Sequence, residues 1–271
     1  MFKIGVMADS FRRGVKGGLD AAGELGVQGV QIYATYGEMA PENMTDSKIK
    51  ELKGWLDSNG LVVSALCADF GGHGFCVKEE NAVRVEKSKR IVDLALKLGS
   101  NIITTHIGVV PDVPDDTYKI MQEACNDIGM YAEKNGAIFA VETGPEKAET
   151  LKAFLDSLST KGVGVNMDPA NLVMLFGDDP VEAVYTLSKY IVHTHAKDGI
   201  KLDEPMLING KMRKYLETPL GQGKVDFDKY LKALKDIGYD GFLTIEREVG
   251  DNPYEDIKMA VDFLKEKIKN L

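Results

Sequence analysis

The stretch Ile191-Val192-His193-Thr194-His195-Ala196-Lys197-Asp198 carries two of the chain's four histidines at the end of an apolar run. A β-strand alternates its side chains between faces, so His193, His195 and Lys197 point one way and Val192, Thr194 and Ala196 the other. One face is therefore polar and titratable. In a parallel barrel the carboxyl ends of the strands bear the site, which puts His195 nearer the chemistry than the deeper His193. Similar apolar runs end on Glu142, Asp168 and Glu246. With His195 these acids make a candidate divalent-metal set.

Outward from this stretch, short β-branched runs alternate with longer amphipathic segments, the pattern of repeated βα units. Strands are expected at Lys3–Met7, Gly29–Tyr33, Val62–Cys67, Ile102–His106, Ile138–Glu142, Gly164–Met167, Ile191–His195 and Phe242–Glu246. Helices are expected at Val15–Leu25, Ser47–Ser58, Glu79–Leu98, Asp116–Lys134, Lys147–Leu158, Pro180–Leu187, Phe227–Ile237 and Tyr254–Lys269. Gly99, Gly136 and Gly238 stand where a left-handed residue would close a helix. No linker, low-complexity tract or composition shift interrupts the pattern, so one domain over residues 1–271 is expected. The stretch Gly199–Lys224, with Pro205 and Pro219, reads as a long loop after the His195 strand, a wall or lid of the site.

A doubly wound open sheet would also alternate strands and helices. There, however, ligands gather at one switch point, whereas His106, Glu142, Asp168, His195 and Glu246 end five different strands. Only closure brings all those ends around one mouth. The first βα turn, Ala8-Asp9-Ser10-Phe11-Arg12, has no G-x-G-x-x-G fingerprint for a dinucleotide. The expected fold is α/β, a single-domain (β/α)8 TIM barrel.

A net charge of −9, from 33 basic and 42 acidic side chains, argues against a surface that neutralises phosphate backbones, so no nucleic-acid partner is expected. No apolar stretch approaches the ~20 residues of a membrane span. Met1 leads directly into the first strand without room for a signal core, and Cys67, Cys76 and Cys125 show no Cys-x-x-Cys spacing. A cytoplasmic protein with reduced, structural thiols is expected.

Glu142 ends a buried strand in Phe139-Ala140-Val141-Glu142-Thr143, where an unpaired carboxylate would cost several kcal/mol. A metal or a partner is the reading that removes this cost; a helix-capping or loop acid is the bland one. Asp168 precedes Pro169, which forces extended or turn geometry; a simple Asx-turn is the alternative to ligation. Glu246 shares a face with Thr244, while the neighbouring Arg247 could neutralise Glu248 or contact substrate. Two glutamates, an aspartate and a histidine suit one divalent ion of the oxygen-preferring kind, Mn²⁺ first, with Mg²⁺ or Co²⁺ next and Zn²⁺ less suited. Such an ion can acidify the C–H beside a sugar carbonyl, and Glu142 and Glu246, on well-separated strands, could take and return the proton from opposite sides. Substrate contacts are expected from His106, Asn171, Lys197 and Arg247. Lys197 has the alternative of pairing with Asp198, and His106 that of a satisfied core histidine. His193 reads as a hydrogen-bonded barrel residue, His73 as a solvated loop histidine and Trp55 as packing.

The ordered motifs Val-Glu-Thr (141–143), Met-Asp-Pro-Ala-Asn (167–171), His-Thr-His-Ala-Lys-Asp (193–198), Gly-Gln-Gly (221–223) and Thr-Ile-Glu-Arg-Glu (244–248) resemble the xylose isomerase-like TIM barrel superfamily, AP endonuclease family 2-like. It includes sugar phosphate isomerases/epimerases, ketose 3-epimerases, inosose dehydratases and endonuclease IV. The resemblance implies that Glu142, Asp168, His195 and Glu246 ligate the metal and that Glu142 and Glu246 double as the proton-transfer pair. Ketose 3-epimerases carry a histidine where this chain has Asn171 and an arginine where it has Lys201. Endonuclease IV is excluded, since its trinuclear zinc site needs more than the four histidines present. The expected activity is isomerisation or epimerisation of a sugar or sugar phosphate through a metal-stabilised enediolate. Dehydration of a keto-inositol or related keto-sugar is the alternative, and a non-catalytic sugar-binding or scaffold barrel the second. Barrels of this family often pair, so a homodimer or homotetramer is an expectation of the resemblance.

Overall fold

The computed structural model describes residues 1–144, 146–208 and 210–271. Eight parallel strands close into a barrel: β1 (Lys3–Met7), β2 (Gly29–Tyr33), β3 (Val62–Cys67), β4 (Ile102–Thr105), β5 (Ile138–Glu142), β6 (Val163–Met167), β7 (Ile191–Ala196) and, late in the chain, β10 (Phe242–Ile245). Both β1–β2 and β1–β10 are paired, which leaves the barrel no open edge. Strand β6 is buried throughout, as a parallel strand covered by side chains inside and helices outside must be.

The outer helices are α1 (Gly14–Glu24), α2 (Asp46–Ser58), α3 (Lys78–Lys97), α4 (Asp116–Lys134), α5 (Ala148–Asp156), a single turn α6 (Pro169–Asn171), α7 (Pro180–Thr186), α8 (Phe227–Asp236) and α9 (Pro253–Lys269). Thr45, Asp115, Asp179 and Asp226 cap α2, α4, α7 and α8 by accepting backbone N–H bonds in the first turn. Gly99, Gly136 and Gly238 have φ of +86°, +73° and +79°, so they close α3, α4 and α8 as their positions predict. The N–H one residue further on reaches back into the last helical turn each time, at 2.9, 2.8 and 2.9 Å.

Two regions depart from expectation. Strands β4 and β10 stop one residue early, so His106 and Glu246 stand just past the ladder, at the barrel mouth. Moreover, most of Gly199–Lys224 is not a loop. It forms an antiparallel hairpin of β8 (Asp198–Ile208) and β9 (Lys211–Thr218) outside the barrel, with Asp198 opposite Thr218 and Leu207 opposite Met212. A π-helical turn, Leu172–Phe176, follows α6 and packs against this arm. Among the described residues no helix is long and apolar enough to cross a membrane.

Candidate metal centre and its cavity

Strand alternation turns Glu142 of β5 and His195 of β7 inward, while Asp168 and Glu246 leave the ends of β6 and β10 toward the same point. One ligand-type atom from each lies within 4.8 Å of every other. His195 Nδ1 is 3.3 Å from Glu246 Oε2, 3.5 Å from Glu142 Oε1 and 3.5 Å from Asp168 Oδ2. All four side chains are buried.

Each member is oriented from behind. Asp168 Oδ1 accepts the N–H groups of Ala170 (2.8 Å) and Asn171 (3.0 Å), so the aspartate caps α6 with one oxygen. Among the described residues its buried Oδ2 has no hydrogen-bond partner, and it faces His195. The Asx-turn therefore leaves the second oxygen of the carboxylate available to a ligand. Gln31 Nε2 donates to Thr104 Oγ1 (2.9 Å), which leaves Gln31 Oε1 facing His195 Nε2 at 3.1 Å. An amide oxygen only accepts, so Nε2 carries a proton and Nδ1 is presented to the carboxylates. Glu142 accepts from Asn166 Nδ2 and Asn171 Nδ2, both at 3.0 Å. Asn166 in turn accepts from His193 Nδ1 at 2.8 Å, and Thr244 Oγ1 meets His193 Nε2 at 3.0 Å. Burial holds the His193 pKa well below its usual value, so this histidine is a neutral, hydrogen-bonded barrel residue.

The carboxylates need a cation. Burial disfavours charge on His195, but Glu142 and Glu246 outweigh it and hold its pKa well above the usual value. Glu246 is opposed by burial too, yet Lys197 and His195 hold its carboxyl well below the ordinary range. An unpartnered buried oxygen, two more carboxylates and an oriented imidazole nitrogen fit one small divalent ion. The residues present therefore fit such a group.

Lys197 donates to Glu246 Oε2 (2.8 Å) and Glu248 Oε2 (2.6 Å), not to Asp198. Asp198 instead accepts the N–H groups of Gly199, Gly221, Gly223 and Val225. This accounts for Gly-Gln-Gly: a Cβ on Gly223 would stand 2.0 Å from Asp198 Oδ1. His106 lies 3.1 Å from Asp69 Oδ2 and 3.5 Å from Glu142 Oε1. The charge of Glu142, outweighing burial, pushes His106 up to about 9.

A cavity of about 470 Å³ opens on the cluster, with His106, Asn171 and Lys197 in its lining. Arg247 is absent from that lining. Its guanidinium donates to Glu217 Oε1 and Asp256 Oδ2, both at 2.8 Å, and so ties β9 to α9. Arg247 thus pairs with these two acids and not with Glu248, and it lines a neighbouring pocket together with Glu246 and Glu248. Lys201, at the position of the epimerase arginine, donates to the Phe176 carbonyl at 3.2 Å and is also absent from the lining. His73 is exposed on its glycine loop, and Trp55 packs against the core.

Sequence reasoning passed over Gln31 and the hairpin residues Arg213, Tyr215 and Glu217. A glutamine inside the buried run Gly29–Tyr33 is a signal for the first. For the hairpin the signal is the dipeptide Asn209-Gly210, the favoured two-residue turn between antiparallel strands.

Fold and site together define a closed (β/α)8 barrel whose mouth gathers a buried four-residue cluster able to hold a metal ion. The chain belongs to the xylose isomerase-like TIM barrel family, whose model matches residues 19–267. It is 27% identical over 167 residues to the inosose dehydratase of Clostridium perfringens, covering 56% of each chain. The chain thus spans about half the length of the curated relatives it matches. Among solved structures it is similar to a xylose isomerase domain protein from Planctomyces limnophilus (29% identity, TM-score 0.84, 99% and 97% of the two chains). A D-tagatose 3-epimerase-like protein shares the fold (20% identity, TM-score 0.77, 99% of each chain).

Proposed function

We propose that the chain is a divalent-metal-dependent enzyme that isomerises or epimerises a sugar or sugar derivative by moving a proton at carbon. The observation that carries this reading is the convergence of Glu142 and Glu246 from β5 and β10 onto one focus, held in unlike surroundings. Glu142 is gripped by the amides of Asn166 and Asn171 with the His106 ring 3.5 Å away, whereas Glu246 is paired at 2.8 Å with the ammonium of Lys197. Two carboxylates distinguished by their neighbours are what a proton relay with one donor and one acceptor requires. Glu142, Asp168, His195 and Glu246 would hold the ion, with Mn²⁺ favoured over Mg²⁺ or Co²⁺. Bound there, it would polarise a substrate carbonyl and acidify the adjoining C–H. Gln31 keeps the His195 ring in register, and Asn171 fixes Glu142 at the cavity wall.

Dehydration of a keto-sugar is the second reading. It is favoured by the similarity to inosose dehydratase and by Lys197 and His106, two proton donors beside the carboxylates. Either activity begins with removal of a proton next to a carbonyl.

The test is incubation of the Mn²⁺-loaded protein with ketoses in heavy water, followed by mass spectrometry. Deuterium on carbon in products of unchanged skeleton supports isomerisation, and loss of one water from the product mass supports dehydration. Glu246→Gln should abolish either while the fold persists; normal turnover in that variant would remove Glu246 from the proton relay, and no turnover of any ketose by the wild type would leave a binding or scaffold barrel.

A further inference from the structure

The cavity lining holds five carboxylates: Asp69, Glu142, Glu217, Glu246 and Glu248. Each is met by a donor. Asp69 is met by His106, Glu142 by two asparagines, Glu246 and Glu248 by Lys197, and Glu217 by Arg247. Lys197, buried among three of them, is neutralised where it stands. Arg213 also lines this cavity, and among the described residues no carboxylate lies within ion-pair distance of it.

Arg213 is nevertheless held in place. Its Nη1 donates to the phenol oxygen of Tyr215 at 2.6 Å, and its Cζ lies 5.4 Å from the centre of that ring. The two residues share a face of β9 with Glu217, whose anchorage by Arg247 fixes the base of the arm. Four of the guanidinium's five N–H groups have no acceptor among the described residues. An oriented, uncompensated guanidinium in a wall of paired acids is a ready receptor for an oxyanion. Along β9, Arg213 stands four residues from Glu217, roughly 13 Å at ~3.3 Å per residue, and so lines the cavity away from the base of the arm.

We propose that Arg213 binds an anionic group, a carboxylate or a phosphate, on the end of the substrate remote from the reacting carbons. The substrate is then an acidic sugar derivative. This inference rests on the sugar-binding reading above and specifies its substrate class.

Calorimetric titration of the Mn²⁺-loaded full chain with glucitol, gluconate and glucitol 6-phosphate tests it, in the wild type, Arg213→Gln and Arg213→Lys. In the wild type, one anionic probe should bind roughly ten- to a hundredfold more tightly than glucitol. Gluconate in that role identifies a carboxylate, glucitol 6-phosphate a phosphate. Arg213→Gln should erase the preference while leaving glucitol binding in place, and Arg213→Lys should retain part of it. Equal binding of all three probes, or a preference that survives Arg213→Gln, overturns the proposal and leaves the sugar-binding reading standing. Failure of every probe to bind overturns both.

Discussion

Asp168 Oδ2 and His195 Nδ1 lie 3.5 Å apart, both buried, and among the described residues the carboxylate oxygen has no hydrogen-bond donor. The other oxygen of Asp168 is committed to the backbone of α6. Charge and cap are therefore separable in this residue. Asp168→Asn should keep the fold and the cap through its remaining oxygen, yet lower Mn²⁺ affinity by at least tenfold. His195→Ala should abolish stoichiometric binding. Elemental analysis after dialysis, beside titration calorimetry, reads both; full metal retention in His195→Ala would remove this cluster as the site.

Gln31 acts on the centre only through His195. Gln31→Leu leaves the His195 Nε2–H and the Thr104 hydroxyl without their partner, at a cost of about 1–3 kcal/mol in stability. Metal affinity should fall about ten- to a hundredfold, the usual weight of a group behind a ligand. Unchanged affinity would mean that Gln31 does not orient the ring.

Lys197→Met leaves Glu246 buried without its ammonium. Breaking a buried pair on one side costs about 3–5 kcal/mol. Urea unfolding of the metal-free protein should show a loss of that order, and the double variant Lys197→Met/Glu246→Leu should recover much of it. If the single variant is as stable as the wild type, the pair contributes nothing to the fold.

Glu146 gives a pH dependence of stability. Its Oε2 accepts from the Val110 N–H, its Oε1 has no partner among the described residues, and burial raises its pKa from 4.5 to about 8. The folded chain therefore keeps a proton that the unfolded chain has already lost. That contribution to stability is complete below pH 4.5 and disappears as pH rises toward about 8. Glu146→Gln cannot ionise, so its stability should decline less over this window, by up to about 1.4 kcal/mol per pH unit. Chemical denaturation at pH 5 and pH 9 measures the difference; parallel declines would show that Glu146 is not buried as an acid.

Gly223→Ala should destabilise the turn around Asp198, since the new Cβ would stand 2.0 Å from Oδ1 and 2.5 Å from the Gly199 nitrogen. A lowered melting temperature is expected, together with weakened retention of the arm, read as faster proteolysis within β8 and β9. A melting temperature equal to that of the wild type would show that the turn can shift freely.

By itself the sequence determined the repeat and the site-bearing ends. Periodicity and helix-closing glycines are local signals, so β1 to β7, β10, the outer helices other than the single turn α6, and the positions of Glu142, Asp168, His195 and Glu246 at the strand ends were legible. Polar residues ending five strands pointed to closure, because no open sheet gathers them. Tertiary structure alone decided the partners. Lys197 lies next to Asp198 in the chain, but Asp198 turns to the amides of residues 199–225, leaving Lys197 to Glu246 and Glu248 across the mouth. Arg247 adjoins Glu248, yet the returning arm and α9 bring Glu217 and Asp256 to its guanidinium. Gln31 meets His195 across 164 positions of chain. Side-chain pairing depends on distance after closure and on which face each residue takes, and neither quantity is carried by a residue's neighbours in sequence.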